Sequence, residues 1–143
     1  MLNASHIRVG VKADTWKEAI KAAGQVLLEA SSCTMSYVDA MIISVEELGP
    51  YIVITPHVAL AHARPSLQVN QADMSLVVLD DPVEFGSVAN DPVKLVFAFC
   101  AIDEGSHLEQ LGKLAANLTP ETINKLVATK SVSEVISVLG ENA

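Results

Sequence analysis

Apolar and polar positions along this chain follow two different rhythms, and the change between them marks how it is organised. From Thr15 the apolar residues Trp16, Ala19, Ile20, Ala23, Leu27 and Ala30 fall on one face of a helix, predicted to run to about Ser31. Thr15-Trp16-Lys17-Glu18 reads as its capping box, in which the threonine oxygen and the glutamate carboxylate satisfy otherwise unpaired amides. Ser36-Tyr37-Val38-Asp39 reads as the opening of a second helix, with Met41, Ile42 and Val45 as its buried stripe and Gly49-Pro50 as its stop. The rhythm then changes to short apolar runs. Strands are predicted at about residues 51–54, 58–61, 74–79 and 94–102, the last two apolar enough to be interior strands covered on both faces. Helical spacing returns with Ser106-His107-Leu108-Glu109, a further capping box, and continues to about Leu118. Thr119-Pro120-Glu121 places proline at a first helical turn. Ser131-Val132-Ser133-Glu134 caps a last helix that Gly140 is expected to end.

Helices before and after a block of strands predict an α/β fold: a single-domain, three-layer sandwich with a mixed β-sheet flanked by helices on both faces. No repeat, linker or low-complexity tract divides residues 1–143, and that length suits one core. Half the residues are hydrophobic and 18% are charged, as in an ordinary globular chain. The formal charge of −8 argues against nucleic acid or an anionic membrane as the main partner. The first residues lack a signal-peptide core, and the longest apolar run, Leu95 to Ile102, is far too short to span a bilayer, so a cytoplasmic protein is expected. Cys33 and Cys100 have no metal-like or CxxC spacing, and Cys100 reads as a small buried thiol.

Candidate chemistry concentrates in Gly49-Pro50-Tyr51-Ile52-Val53-Ile54-Thr55-Pro56-His57-Val58-Ala59-Leu60-Ala61-His62-Ala63-Arg64-Pro65. His62 ends a strand, where its backbone is held while its ring can face a cleft. Local pattern admits two readings, a residue filling the strand end or a nucleophile. Small neighbours on either side and the permanent charge of Arg64 shift the balance toward the second. His107 is expected in a first helical turn, where a neutral imidazole could donate to a phosphate oxygen. His57, at the bend after Pro56, is read as a turn residue, and His6 as a solvated surface histidine. The histidines lack HExxH spacing, and neither GxxxxGK[ST], GxGxxG nor GxSxG occurs, so zinc hydrolysis, nucleotide binding and serine hydrolysis have little support.

These segments, with Pro82-Val83-Glu84-Phe85-Gly86, Asn90-Asp91-Pro92-Val93, the run from His107 to Ala115 and the terminal SVSEVISVLG, resemble enzyme IIA components of the phosphoenolpyruvate-dependent sugar phosphotransferase system. The likeness is to the mannitol/fructose type, and within it to the ascorbate branch. It implies that His62 takes a phosphoryl group from the phosphocarrier protein HPr and hands it to enzyme IIB, which serves the membrane component IIC. It also implies that His107 supports the phosphoryl group and that no cofactor or metal is needed. The chain departs from the family pattern at Ala61, Ala63 and His57, where proline, glycine and glycine are usual. It also lacks the arginine of mannitol-type members around Ser44-Val45-Glu46, and Arg64 is the expected replacement for that charge. A regulatory module, whose phosphorylation state controls a partner, needs the same nucleophile and stays open beside the carrier. The strand edges admit a homodimer.

Overall fold

The computed structural model describes residues 2–141. After a short turn of helix at Ala4–His6 come β1 (Ile7–Val11), α1 (Trp16–Glu29) and α2 (Met35–Leu48). Then follow β2 (Val53–Thr55), β3 (Val58–Ala61), β4 (Asp73–Val83) and β5 (Val93–Cys100). The chain closes with α3 (Glu104–Asn117), α4 (Pro120–Val127) and α5 (Val132–Glu141). The strands form one sheet in the order β1-β4-β5-β3-β2. It is mixed: β1 runs parallel to β4 and β3 parallel to β5, while the β4–β5 and β2–β3 pairs are antiparallel.

Side chains alternate across the sheet and so build two cores, one per face. Val77, Leu79, Ala59, Ala61, Val96 and Ala98 face α1 and α2. Leu76, Val78, Val58, Leu60, Leu95, Phe97 and Phe99 face α3, α4 and α5. This is the three-layer sandwich that the hydrophobic pattern predicts. Cys33 and Cys100 are both free and buried.

Several elements differ from the sequence reading, four of them for identifiable reasons. β1 was not anticipated: of its five residues only Ile7 is buried, and Gly10 interrupts it at φ +63°. Its partner β4 supplies the pairing that makes it a strand. The second helix opens at Met35 rather than Ser36, because Thr34 occupies the cap position while its hydroxyl bonds Gln68 Oε1 at 2.7 Å. The third opens at Glu104, since the Asp103 carboxylate accepts from Ser106 N at 2.7 Å and displaces Ser106 as the cap. Gly140 lies inside the last turn of α5 instead of ending it.

The β2–β3 turn carries the chain toward the candidate nucleophile. Pro56 and His57 are its central residues, and His57 adopts φ +74° where glycine is the usual choice. The cost of that conformation, on the order of 1–3 kcal/mol, is offset by fixed partners. His57 Nδ1 donates to the Pro92 carbonyl at 2.8 Å, and its backbone N–H donates to the Asn90 carbonyl at 3.0 Å. The turn reading of His57 is therefore correct, and its glycine-like backbone survives without glycine.

Candidate functional site

His62 follows β3, which lies inside the sheet between β5 and β2. Its ring Nδ1 is 2.7 Å from the Leu60 carbonyl oxygen. A carbonyl only accepts, so Nδ1 carries the proton and Nε2 keeps its lone pair. The ring stacks on Phe99, with centroids 5.0 Å apart and planes 18° apart. Tyr51 meets it edge-on at 5.8 Å, and the His107 ring lies 5.3 Å away at 61°. Packed between these rings, the imidazole is half-buried.

That burial lowers the His62 pKa from its ordinary value of 6.5. Desolvation is the largest cause and the nearby His107 adds to it, while the Leu60 carbonyl pulls the other way. Near neutral pH the ring is uncharged, the state a nucleophile requires.

The ring opens into a cleft of about 220 Å³. Arg64, His107, Ser44, Leu48, Tyr51 and Glu104 line it together with His62. The structure thus brings together all three residues that the sequence singled out. Arg64 is exposed and makes no ion pair among the described residues, so its charge is available to an anion in the cleft.

His107 arrives differently from expectation. It is the fourth residue of α3, and its N–H is already bonded to the Asp103 carbonyl at 3.1 Å. The amides of the helix start therefore lie most of a turn from it, and its contribution is the side chain alone. Its Nδ1 is buried with no hydrogen-bond partner. A buried lone pair left empty costs less than a buried N–H left unmade, which favours the tautomer protonated on Nε2. Nε2 of His107 is then a donor, on a ring that lines the same cleft as His62.

The remaining histidines do not join this pair. His57 borders a separate hollow with Thr55, Pro120, Ile123 and Asn124. His6 is not a freely solvated surface residue: its Nδ1 lies 3.0 Å from the Asp73 carboxylate, and both side chains are largely covered. Among the described residues no three His, Cys, Asp or Glu side chains gather as a metal-binding set.

Sequence reasoning missed Tyr51, Ser44 and Glu104 as lining residues. Ser44 stands in the segment searched for an arginine, so the position was noticed, though not its place in the wall. Phe99 was read only as part of an apolar strand. Its aromatic type at a strand end, level with His62 across a parallel pair, was the available signal.

An interior strand thus ends at a neutral histidine whose ring lines a partly cationic cleft. Residues 1–142 match the family model for the phosphoenolpyruvate-dependent sugar phosphotransferase system, EIIA 2, and the chain belongs to that family. It is a phosphotransferase component of the sugar phosphotransferase system. The ascorbate-specific PTS system EIIA component of Escherichia coli (strain K12) is 35% identical over 135 residues, covering 93% of this chain and 88% of that protein. The mannitol-specific cryptic phosphotransferase enzyme IIA CmtB from Escherichia coli superposes with a TM-score of 0.86 at 30% identity, over 96% of this chain and 93% of that one. Mannitol enzyme IIA from Escherichia coli, solved in complex with phosphorylated enzyme IIB, superposes with a TM-score of 0.84 at 26% identity, over 99% of both chains. Among the described residues, no helix is long and apolar enough to cross a membrane.

Proposed function

We propose that this chain is a phosphohistidine carrier, accepting a phosphoryl group from phosphorylated HPr on His62 and passing it to an enzyme IIB. The sugar served through the membrane component IIC is ascorbate or a related compound, a reading supported by the names of the similar proteins. The IIB step is supported by the complex of the mannitol relative. One observation carries the proposal: the Leu60 carbonyl holds His62 with its free Nε2 in a cleft shared with Arg64 and His107.

Phosphoryl transfer asks the protein for positioning and charge stabilisation more than for covalent chemistry. His62 Nε2 attacks the phosphorus of the donor phosphohistidine in line. As the new N–P bond forms, the donor's N–P bond breaks and its electron pair returns to the donor imidazole. His107 Nε2–H and Arg64 share the charge on the equatorial oxygens. Such charge-assisted hydrogen bonds contribute roughly 1.5–3 kcal/mol each. Glu104, in the same wall, opposes the phosphoryl charge and keeps the bound group transferable. Leu48, 72% exposed, and Tyr51, 44% exposed, give the rim an apolar surface on which a protein partner can seat.

The deciding experiment is transfer of labelled phosphoryl from phosphorylated HPr to the purified chain. Wild type is expected to take up an acid-labile, base-stable label and His62→Ala none. Label persisting in His62→Ala would remove the assignment. His107→Ala is expected to label slowly or to lose its label faster by hydrolysis, and an unchanged rate and lifetime would take His107 out of the site. Onward transfer to a cognate IIB completes the carrier reading. Label that stays on His62 with no transfer would mark a regulatory module instead.

A further inference from the structure

Tyr37 lies on α2, with the core between helix and sheet on the face opposite Phe99, yet its hydroxyl reaches the strand ends that carry the site. It is 1% exposed. The hydroxyl oxygen is 3.1 Å from the Ala63 nitrogen, 2.9 Å from the Phe99 carbonyl oxygen and 3.1 Å from the Ala63 carbonyl oxygen. A phenol has one proton to give and lone pairs to receive with. It accepts from the Ala63 N–H and donates to a carbonyl, the shorter contact being to Phe99. Ala63 is the residue after His62, and Phe99 supplies the ring beneath the imidazole. One oxygen atom therefore joins the two pieces of backbone that define where the imidazole lies.

The register explains why a side chain is needed there. β3 and β5 pair in parallel with Ala61 opposite Ala98. Two residues further, Ala63 would stand opposite Cys100, and the slanted bonds of a parallel ladder would carry its N–H to the Phe99 carbonyl. The ladder stops at Ala61 instead, and the Tyr37 hydroxyl takes the place of that rung. A rung bridged through an oxygen is wider than a direct one, so the strand ends splay where His62 emerges. The ring can then lie on Phe99 with Nδ1 turned back to the Leu60 carbonyl. Burial raises the Tyr37 pKa well above the ordinary phenol value, so the hydroxyl keeps its proton at any working pH.

We propose that Tyr37 is a positioning residue, whose hydroxyl, wedged between the ends of β3 and β5, holds the His62 imidazole in line for phosphoryl attack. The inference rests on His62 as the acceptor and adds a residue that never touches the phosphoryl group.

The test is Tyr37→Phe in the full chain, with phosphorylated HPr as donor and ¹⁵N NMR of the histidine rings. Turnover at saturating donor is expected to fall about 10- to 100-fold, the scale of a misplacement near 1 Å, with the half-saturating donor concentration unchanged. In the absence of donor, the His62 ring signals should move from the Nδ1–H tautomer toward a mixture. A folded Tyr37→Phe chain with wild-type turnover and wild-type ring signals overturns the proposal. Should that variant fail to fold, 3-fluorotyrosine placed at position 37 alone keeps the shape and the hydroxyl while weakening it as an acceptor. The Ala63 amide and His62 ring signals are then expected to shift and turnover to drop, and no change in any of them overturns the proposal. A wild-type chain that takes no label would sink the carrier reading, whereas the ring signals, read without donor, decide the positioning separately.

Discussion

The helices that flank the site from the two faces of the sheet, α1 and α2 on one and α3 on the other, are packed to different tightness. On the α1–α2 face, Ala19, Ile20, Ala23 and Leu27 are fully buried, and Tyr37, Val38 and Met41 are 1% exposed. The two helices touch so closely at Gly24 that a Cβ there would stand 2.8 Å from Val38 Cγ1. On the opposite face, α3 buries Leu114 alone among its described residues. Two polar atoms of this helix, His107 Nδ1 and Gln110 Oε1, are buried without partners. The site straddles this difference. His62 is anchored from the tight side through Ala63 and Tyr37, while His107 approaches from the lightly packed helix. For the proposed carrier role this division would keep the candidate nucleophile fixed while His107 sits on an element that costs little to adjust.

Truncation should break the contrast most visibly. Leu27→Ala, on the tight face, is expected to lower stability by about 3 kcal/mol, within the range for fully buried leucine. Leu111→Ala, on the half-covered side of α3, should cost under about 1 kcal/mol. Urea denaturation of both variants measures this, and equal losses would erase the distinction. A smaller effect is expected at the helix contact. Gly24→Ala gains up to about 1 kcal/mol in helix propensity but forces Val38 aside, an overpacking cost of about 1–3 kcal/mol. A net loss of about 1 kcal/mol should appear as a lower Tm, and a stabilised variant would show that α1 and α2 can part easily.

The smallest effect sharpens the description of His62 itself. Its pKa is lowered in the folded chain, so as pH falls through 6.5 the unfolded chain binds the proton first. Stability relative to His62→Gln should therefore decline below that pH and show no contribution from this source well above it. The ring signals should titrate below 6.5 in an NMR series. A midpoint above 6.5 would mean that the ring is better solvated, or better paired as a cation, than its stacking on Phe99 implies.

Much of this was legible in the residues. The helical stripe behind Trp16, the interior strands and the proline-opened α4 follow from local periodicity and chain stereochemistry. His62 stood out as a candidate nucleophile because small residues and an arginine surround a strand-end histidine, and the structure places it in the cleft with that arginine. β1 was not, because an edge strand of Arg8, Val9 and Gly10 has weak preference of its own and exists through pairing with β4. The start of α3 was misread because Asp103 and Ser106 are both good caps, and only the folded turn shows which one bonds.

What the sequence determined by itself is the layering, the strand that carries His62, and the presence of His107 and Arg64 as candidate partners. These follow from interactions among residues close along the chain. Tertiary structure alone decided that α3 brings His107 to 5.3 Å from His62, that Phe99 lies beneath the ring, and that Tyr37 replaces a rung of the ladder. Each joins residues far apart in sequence, and such contacts form only when the two cores close on opposite faces of one sheet.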